Sequence, residues 1–308
     1  MASSHSETQL RHEAFVYDGD DEFVAGIAPH LRQGLEEGEA TIAVLTRINW
    51  AAMREALGSD AGEVMHVDCD AQYLRPARTL AAYDALIRQT VAERGTSVRV
   101  VAEMPPSQTP AEGAEWLAYE AILNRALAHL PASVVCLYDS RVVSGSVVDA
   151  VWRTHPWGFS DAGAPNARYE DPEHAAAVLA PAARAVPVLE PIGIAGDIFS
   201  FRERLATAMI AWGIPQTSVM NMLVAATEIV DNARQHGGGA TGARAGIVDG
   251  RFVCEISDRG RGLADPMAGY YPPASDRSLG TGLWVARQLL FRVDVLPGVP
   301  GTTVRLWL

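Results

Sequence analysis

Residues 226–239 read ATEIVDNARQHGGG. This stretch places Glu228, Asn232 and His236 four residues apart, so on a helix they share one face. On its own, a face carrying an acid, an amide and an imidazole is the ordinary mark of a solvated helix. Two later pieces change its meaning. SDRGRG (257–262) sets Asp258, Gly260 and Gly262 directly after an apolar, strand-like run. SLGTGLWVARQLL (278–290) opens a helix on Gly280, Thr281 and Gly282 after a long irregular loop. Taken singly, Asp-x-Gly-x-Gly after a strand is a turn, with glycine supplying positive φ, and Gly-x-Gly at a helix start is tight packing. Their order within a short span is the specific signal.

Bulk properties narrow the chemistry. The chain has 308 residues, 48% hydrophobic and 20% charged, as in globular proteins of about two domains. No apolar run approaches the ~18 residues of a membrane helix, and the polar start MASSHSETQLRHE lacks the apolar core of a signal peptide. No membrane partner and a cytoplasmic location are expected. Cys69, Cys136 and Cys254 are scattered, which suggests reduced, buried thiols rather than a disulfide framework or a zinc site. A net charge of −12 argues against direct nucleic-acid binding. Of the 37 acids and 25 bases, 11 of each lie from Glu190 onward, so the first 189 residues hold 26 acids against 14 bases. That asymmetry supports a chain in two parts. There is no lysine. A P-loop and Schiff-base chemistry on a side-chain amine are therefore excluded. Any phosphate must be met by arginine, backbone N–H groups, a helix N-terminus or a metal.

The first part alternates apolar runs with amphipathic ones. Strands are predicted at 40–46, 63–67, 98–103 and 133–139, and helices at 22–38, 48–58, 79–95, 111–130 and 144–155. Continuous apolar strands between helices indicate βαβ units and a parallel α/β sheet. A proline- and alanine-rich stretch follows, read as a linker ending near 186. In the second part, helices are predicted at 197–212, 216–236 and 280–290, and strands at 242–250 and 251–260, joined by an Asp249-Gly250 turn. Two closing strands, FRVDVL and TTVRLWL, complete an α/β two-layer sandwich of helices on one face of an antiparallel sheet.

From about residue 190 to 308 the sequence resembles the GHKL ATPases, the Bergerat-fold group that includes gyrase, MutL and the histidine kinases. ATEIVDNARQHG is similar to the Asn box, SDRGRG to the first glycine box, LGTGLW to the second, and GTTVRLWL to the closing strand. The resemblance implies ATP and Mg²⁺ as ligands, with Asn232 coordinating Mg²⁺ through its amide oxygen and Glu228 as general base. It gives Asp258 the adenine amino group, and Gly260 and Gly262 close approach to the base. Gly280, Thr281, Gly282 and Leu283 fall at the phosphate-binding helix start, Thr303 (or Thr302) beside the adenine, and His236 near the phosphates or simply at the helix end.

FSFRERLATAMIAWGIPQTSVMNMLVAATEIVDNARQHG further resembles the anti-sigma-factor serine/threonine kinases. That branch implies a sigma factor or a STAS-type anti-anti-sigma protein as partner, and its sandwich domains often dimerise. Two other readings stay open: a non-catalytic ATP-binding module, and a histidine-kinase relative acting on a separate phosphoacceptor protein.

Residues 12–172 resemble the MEDS sensory domain, which has a RecA-like core. Tyr17, Glu103, Glu120, Cys136, Tyr138, Asp139, His155, Pro156 and Tyr169 fall in its recurrent motifs. Glu120, on an otherwise apolar helix, needs a partner, and Arg99 is a candidate. The expected layout is a sensory domain over 12–185, including a linker from about 172, and an ATP-binding domain over 187–308.

Overall fold

The computed structural model describes residues 9–104, 110–159, 165–179, 188–263, 265, 267–270, 281–298 and 301–308. The chain divides into two compact units, Met1–Pro181 and Ala182–Leu308.

Unit 1 runs β1 (Arg11–Tyr17), α1 (Asp20–Glu36), β2 (Ala40–Leu45), α2 (Arg47–Leu57), β3 (Met65–Asp68), α3 (Cys69–Gln72), α4 (Pro76–Arg94), β4 (Val98–Glu103), α5 (Pro110–Ala126), β5 (Ala132–Asp139), α6 (Gly145–Thr154), β6 (Trp157–Gly158) and α7 (Pro172–Leu179). Among the described residues its strands form one parallel sheet in the order β3-β2-β4-β5-β1-β6. Every residue of β2 is buried, as the continuous apolar run requires when both faces are covered. Helix α4 begins with Pro76 in its first turn and stops at Gly95 in the left-handed region, φ 68°.

Two strands and two helices of unit 1 were not expected from sequence, the four-residue α3 among them. β1 lies between β5 and β6 with Ala14 opposite Cys136. Its sequence, RHEAFVY, puts His12 and Glu13 inside an apolar run, which hides it from a hydrophobic count. β6 has two residues, and α7 occupies the alanine-rich stretch read as linker.

Unit 2 runs β7 (Glu190–Ile192), α8 (Ile198–Ala211), α9 (Gln216–His236), β8 (Ala240–Val248), β9 (Arg251–Asp258), α10 (Thr281–Leu289), β10 (Arg292–Gly298) and β11 (Gly301–Trp307). The strands pair antiparallel in the order β10-β11-β9-β8-β7. Short β7, absent from the sequence expectation, is the edge beside β8.

Helix α8 starts where the Asp197 carboxylate accepts the Ser200 N–H at 2.7 Å. The β8–β9 hairpin turns on Asp249 (φ 49°) and Gly250 (φ 77°), the two positive φ values of a type I′ turn. Phe201, Leu205 and Met209 of α8 recur every four residues and meet Met222, Ala226 and Ile229 of α9. Leu283 and Ala286 of α10 join them over Phe252, Cys254 and Ile256 of β9. Each large apolar side chain buried this way contributes about 1.5–3 kcal/mol. Three helices thus cover one face of an antiparallel sheet and hold the ends of α9, β9, α10 and β11 together.

Among the described residues, no helix is long and apolar enough to cross a membrane.

Candidate functional site

The ends of four elements of unit 2 converge. Asn232, half-buried on α9, lies against the first turn of α10. A Cβ on Gly282 would sit 2.7 Å from the Asn232 Nδ2 and 3.1 Å from its Oδ1, so only glycine lets the helix start approach the amide. Thr281, the first residue of α10, is exposed, whereas Leu283 is buried in the core and supports the helix from below. Gly280 lies outside the described residues.

Asp258, the last residue of β9, is the second fixed point. Its Oδ1 accepts the Gly260 N–H at 2.7 Å and the Thr302 N–H at 3.1 Å, tying the loop after β9 to the start of β11. Its Oδ2 accepts no hydrogen bond among the described residues. Gly237, one residue past α9, packs on this carboxylate: a Cβ there would lie 2.6 Å from the Asp258 Cγ. Gly260 in turn touches Gly237, at 2.7 Å from Cβ position to Cα, and Gly262 follows at φ +86°. Gly301 has φ +103°, and a side chain there would collide with the Asp258 carbonyl oxygen. Thr303 pairs with Ser257 across β11 and β9, and their hydroxyls lie 2.8 Å apart.

Glu228 is half-buried and His236 exposed on the same face of α9 as Asn232. Among the described residues the Glu228, Asn232 and His236 side chains have no hydrogen-bond or ion-pair partner. The Asn232 amide against a helix N-terminus, with the half-buried Glu228 carboxylate one turn earlier and neither partnered among the described residues, forms a donor set suited to a hard cation and to phosphate oxygens. The free Oδ2 of Asp258 is a ready acceptor for an amino group. Gly237 and Gly301 went unassigned in the sequence, because only the fold shows that both pack against Asp258.

Arg287 of α10 links β10 to the segment that precedes the helix in sequence. It donates to the Val293 carbonyl at 2.8 Å and lies 3.9 Å over the Tyr270 ring. A separate cleft of about 420 Å³, lined by Asp197, Phe201, Val230 and Arg234, opens on the other side of α9. Val230 and Arg234 each follow a box residue by two positions, which turns them away from the Asn232 face.

In unit 1, several singled-out residues have structural partners. Glu103 accepts the Thr46 N–H and hydroxyl, both at 2.9 Å, at the start of α2. Asp139 is held by Arg141. Tyr17 is buried, and burial followed by the Glu103 and Asp139 charges raises its pKa. His155 ends α6 just before Pro156, and Tyr169 donates its backbone N–H to Asn166. Arg99 is not the partner of Glu120. It pairs with Glu37 at 2.7 Å and Glu39 at 2.5 Å and donates to the His30 carbonyl. Glu120 instead faces His12 and His155. His12 was missed, since a lone histidine in a strand resembles core.

A family model described as the MEthanogen/methylotroph, DcmR Sensory domain (MEDS) matches residues 11–156. Another, described as a histidine kinase-like ATPase domain, matches residues 198–308. No curated protein matches the chain. Among solved structures, the chain is similar to the histidine kinase domain from Erythrobacter litoralis EL346 blue-light activated histidine kinase. The identity is 20%, over 42% of this chain and 71% of that one, with a TM-score of 0.24. The chain is a MEDS sensory domain fused to a histidine kinase-like ATPase domain of the GHKL type, the makeup of a signalling regulator.

Proposed function

We propose that unit 2 binds ATP with Mg²⁺ at the Asn232–Asp258–Gly282 convergence, and that the MEDS domain governs a serine/threonine protein kinase or anti-sigma factor in the cytoplasm. The observation that carries this reading is the pair of unpartnered polar groups on α9, Glu228 and Asn232, beside the glycine-opened start of α10. Asp258 accepts the adenine amino group through Oδ2 while its Oδ1 keeps the two loops closed. Asn232 supplies the amide oxygen for Mg²⁺, which neutralises phosphate charge when bound. Backbone N–H groups at the start of α10 meet the phosphates in a chain that has no lysine. Glu228, one turn before Asn232, takes the proton of the attacking hydroxyl. Gly260, Gly262 and Thr303 line the adenine end, and His236 stands at the mouth. The partner is a sigma factor or a STAS-type antagonist bearing the acceptor Ser or Thr.

The test incubates the full chain with labelled ATP, Mg²⁺ and candidate antagonists. Acid-stable label on the antagonist that disappears in Glu228→Ala supports the kinase. Nucleotide binding, measured by calorimetry, is expected to fall at least tenfold, about 1.4 kcal/mol, in Asn232→Ala. Unchanged ATP affinity in that variant ends the reading. The family model's histidine kinase-like description favours one second reading, transfer to a histidine of a separate protein, which acid-labile label would identify. ATP binding without transfer to any partner would leave a nucleotide-gated binding module.

A further inference from the structure

Four fully buried side chains meet in unit 1, outside the nucleotide site. His12 comes from β1, Cys136 from β5, Glu120 from α5, and His155 from the end of α6. Their donor atoms all lie within 4.8 Å of one another. The His12 Nε2 is 3.2 Å from the Glu120 Oε2 and 3.3 Å from the Cys136 Sγ, and the His155 Nε2 is 3.5 Å from the same carboxylate oxygen. Cys136 Sγ is also 3.5 Å from it.

Hydrogen bonds on the far side of each imidazole decide which nitrogen faces the cluster with a lone pair. The Asn124 amide nitrogen donates to the Thr154 carbonyl at 2.7 Å and to the Glu120 carbonyl at 3.0 Å, so its Oδ1 is turned toward the His12 Nδ1, 3.0 Å away. That Nδ1 must therefore carry the proton. The His155 Nδ1 lies 2.9 Å from the Val151 carbonyl, which can only accept, so it too carries a proton. A ring that is neutral with its proton on Nδ1 offers the lone pair of Nε2 to a metal on the side of the carboxylate and thiol. Protein groups holding the outer N–H of each histidine are the usual support of a metal-ligating imidazole. The Glu120 Oε1 and the His155 Nε2 are buried with no hydrogen-bond partner.

We propose that His12, Glu120, Cys136 and His155 bind one divalent metal ion of the zinc class. Bond lengths of zinc to nitrogen, sulfur and oxygen put tetrahedral ligand atoms roughly 3.3–3.7 Å apart, close to the four separations given above, with the remaining pairs within 4.8 Å. Two imidazoles, one thiolate and one carboxylate suit a borderline-soft ion better than Mg²⁺ or Ca²⁺. Two neutral rings, two negative ligands and a divalent cation sum to zero charge, the condition that complete burial favours. On binding, the thiol proton leaves to solvent and the metal–sulfur bond replaces the S–H. All four positions come from protein, so the centre is closed and ties two adjacent strands to two helices.

The experiment uses the untagged full chain. It is loaded with Zn²⁺ or Co²⁺ alone, desalted, and examined by elemental analysis and absorption. The expected result is one metal per chain, with tetrahedral cobalt bands in the visible and thiolate-to-cobalt charge transfer in the near ultraviolet. Cys136→Ser should lose the charge-transfer band, and Glu120→Gln should weaken Zn²⁺ at least tenfold in competition with a chromophoric chelator. Cys69→Ser, at a buried thiol that bonds the Glu103 carbonyl elsewhere in the unit, should leave both unchanged. The wild-type result stands even where a variant fails to fold. A folded wild-type chain that keeps no stoichiometric metal after desalting overturns the proposal, as does a charge-transfer band retained in Cys136→Ser. In either case the cluster is a buried hydrogen-bond network.

Discussion

Asp258 has a structural role through Oδ1 and, in the proposed function, a recognition role through Oδ2, and the two can be separated. Oδ1 accepts two backbone N–H groups, from Gly260 and Thr302. Oδ2 accepts none among the described residues. Asp258→Asn keeps an oxygen for the two N–H groups and replaces the free acceptor by a donor. Its urea midpoint should stay within about 1 kcal/mol of wild type, while ATP affinity falls at least tenfold. Asp258→Ala strands both N–H groups and should cost about 1–3 kcal/mol of stability as well. Equal ATP affinity in Asp258→Asn and wild type would remove Asp258 from the adenine site. The Asp-x-Gly-x-Gly signature was visible in sequence through its order and spacing relative to the other two boxes, since alone it reads as a turn. The contacts of Gly237 and Gly301 with Asp258 were not, since nothing local distinguishes a glycine in a turn from one against a distant carboxylate.

At the scale of elements, the proposed nucleotide face depends on α8 and α9 packing as one layer. Phe201 is 1% exposed between them and the sheet. Phe201→Ala should cost about 3–5 kcal/mol in urea unfolding of unit 2, far more than a substitution at exposed Phe199, which is 65% accessible. Helix α9 was readable in sequence over its full observed length, Gln216–His236, because its apolar period and terminal glycines agree. The Asp249-Gly250 hairpin was equally plain, since few residue pairs adopt two positive φ values. Strand β1 and edge strand β7 were not legible. One carries His12 and Glu13 within its apolar run, and the other is three residues long. Only pairing with β5 and with β8 makes them strands.

For the molecule as a whole, acid should weaken unit 1 through a particular group. Burial, then Arg99 and Arg11, lowers the His30 pKa from 6.5 to about 3. Below pH 6.5 the unfolded chain binds a proton that folded His30 refuses, so stability falls as pH drops from 6.5 toward about 3. The slope from this group is about 1.4 kcal/mol per pH unit. His30→Gln should remove that component of the slope in urea titrations across the interval; an identical slope would contradict it. The acidic excess of the first 189 residues, 26 acids against 14 bases, was evident from composition. The sequence alone determined the two-part architecture, the parallel and antiparallel classes of sheet and the family boxes, because period, turn chemistry and motif spacing are local properties of a chain. The tertiary structure decided which side chains meet. Arg99 was the expected partner of Glu120, yet it serves Glu37 and Glu39, while His12, more than a hundred positions away, meets Glu120 with Cys136 and His155. A buried charge is satisfied by whatever the fold brings within a few ångströms, and sequence distance carries no information about that.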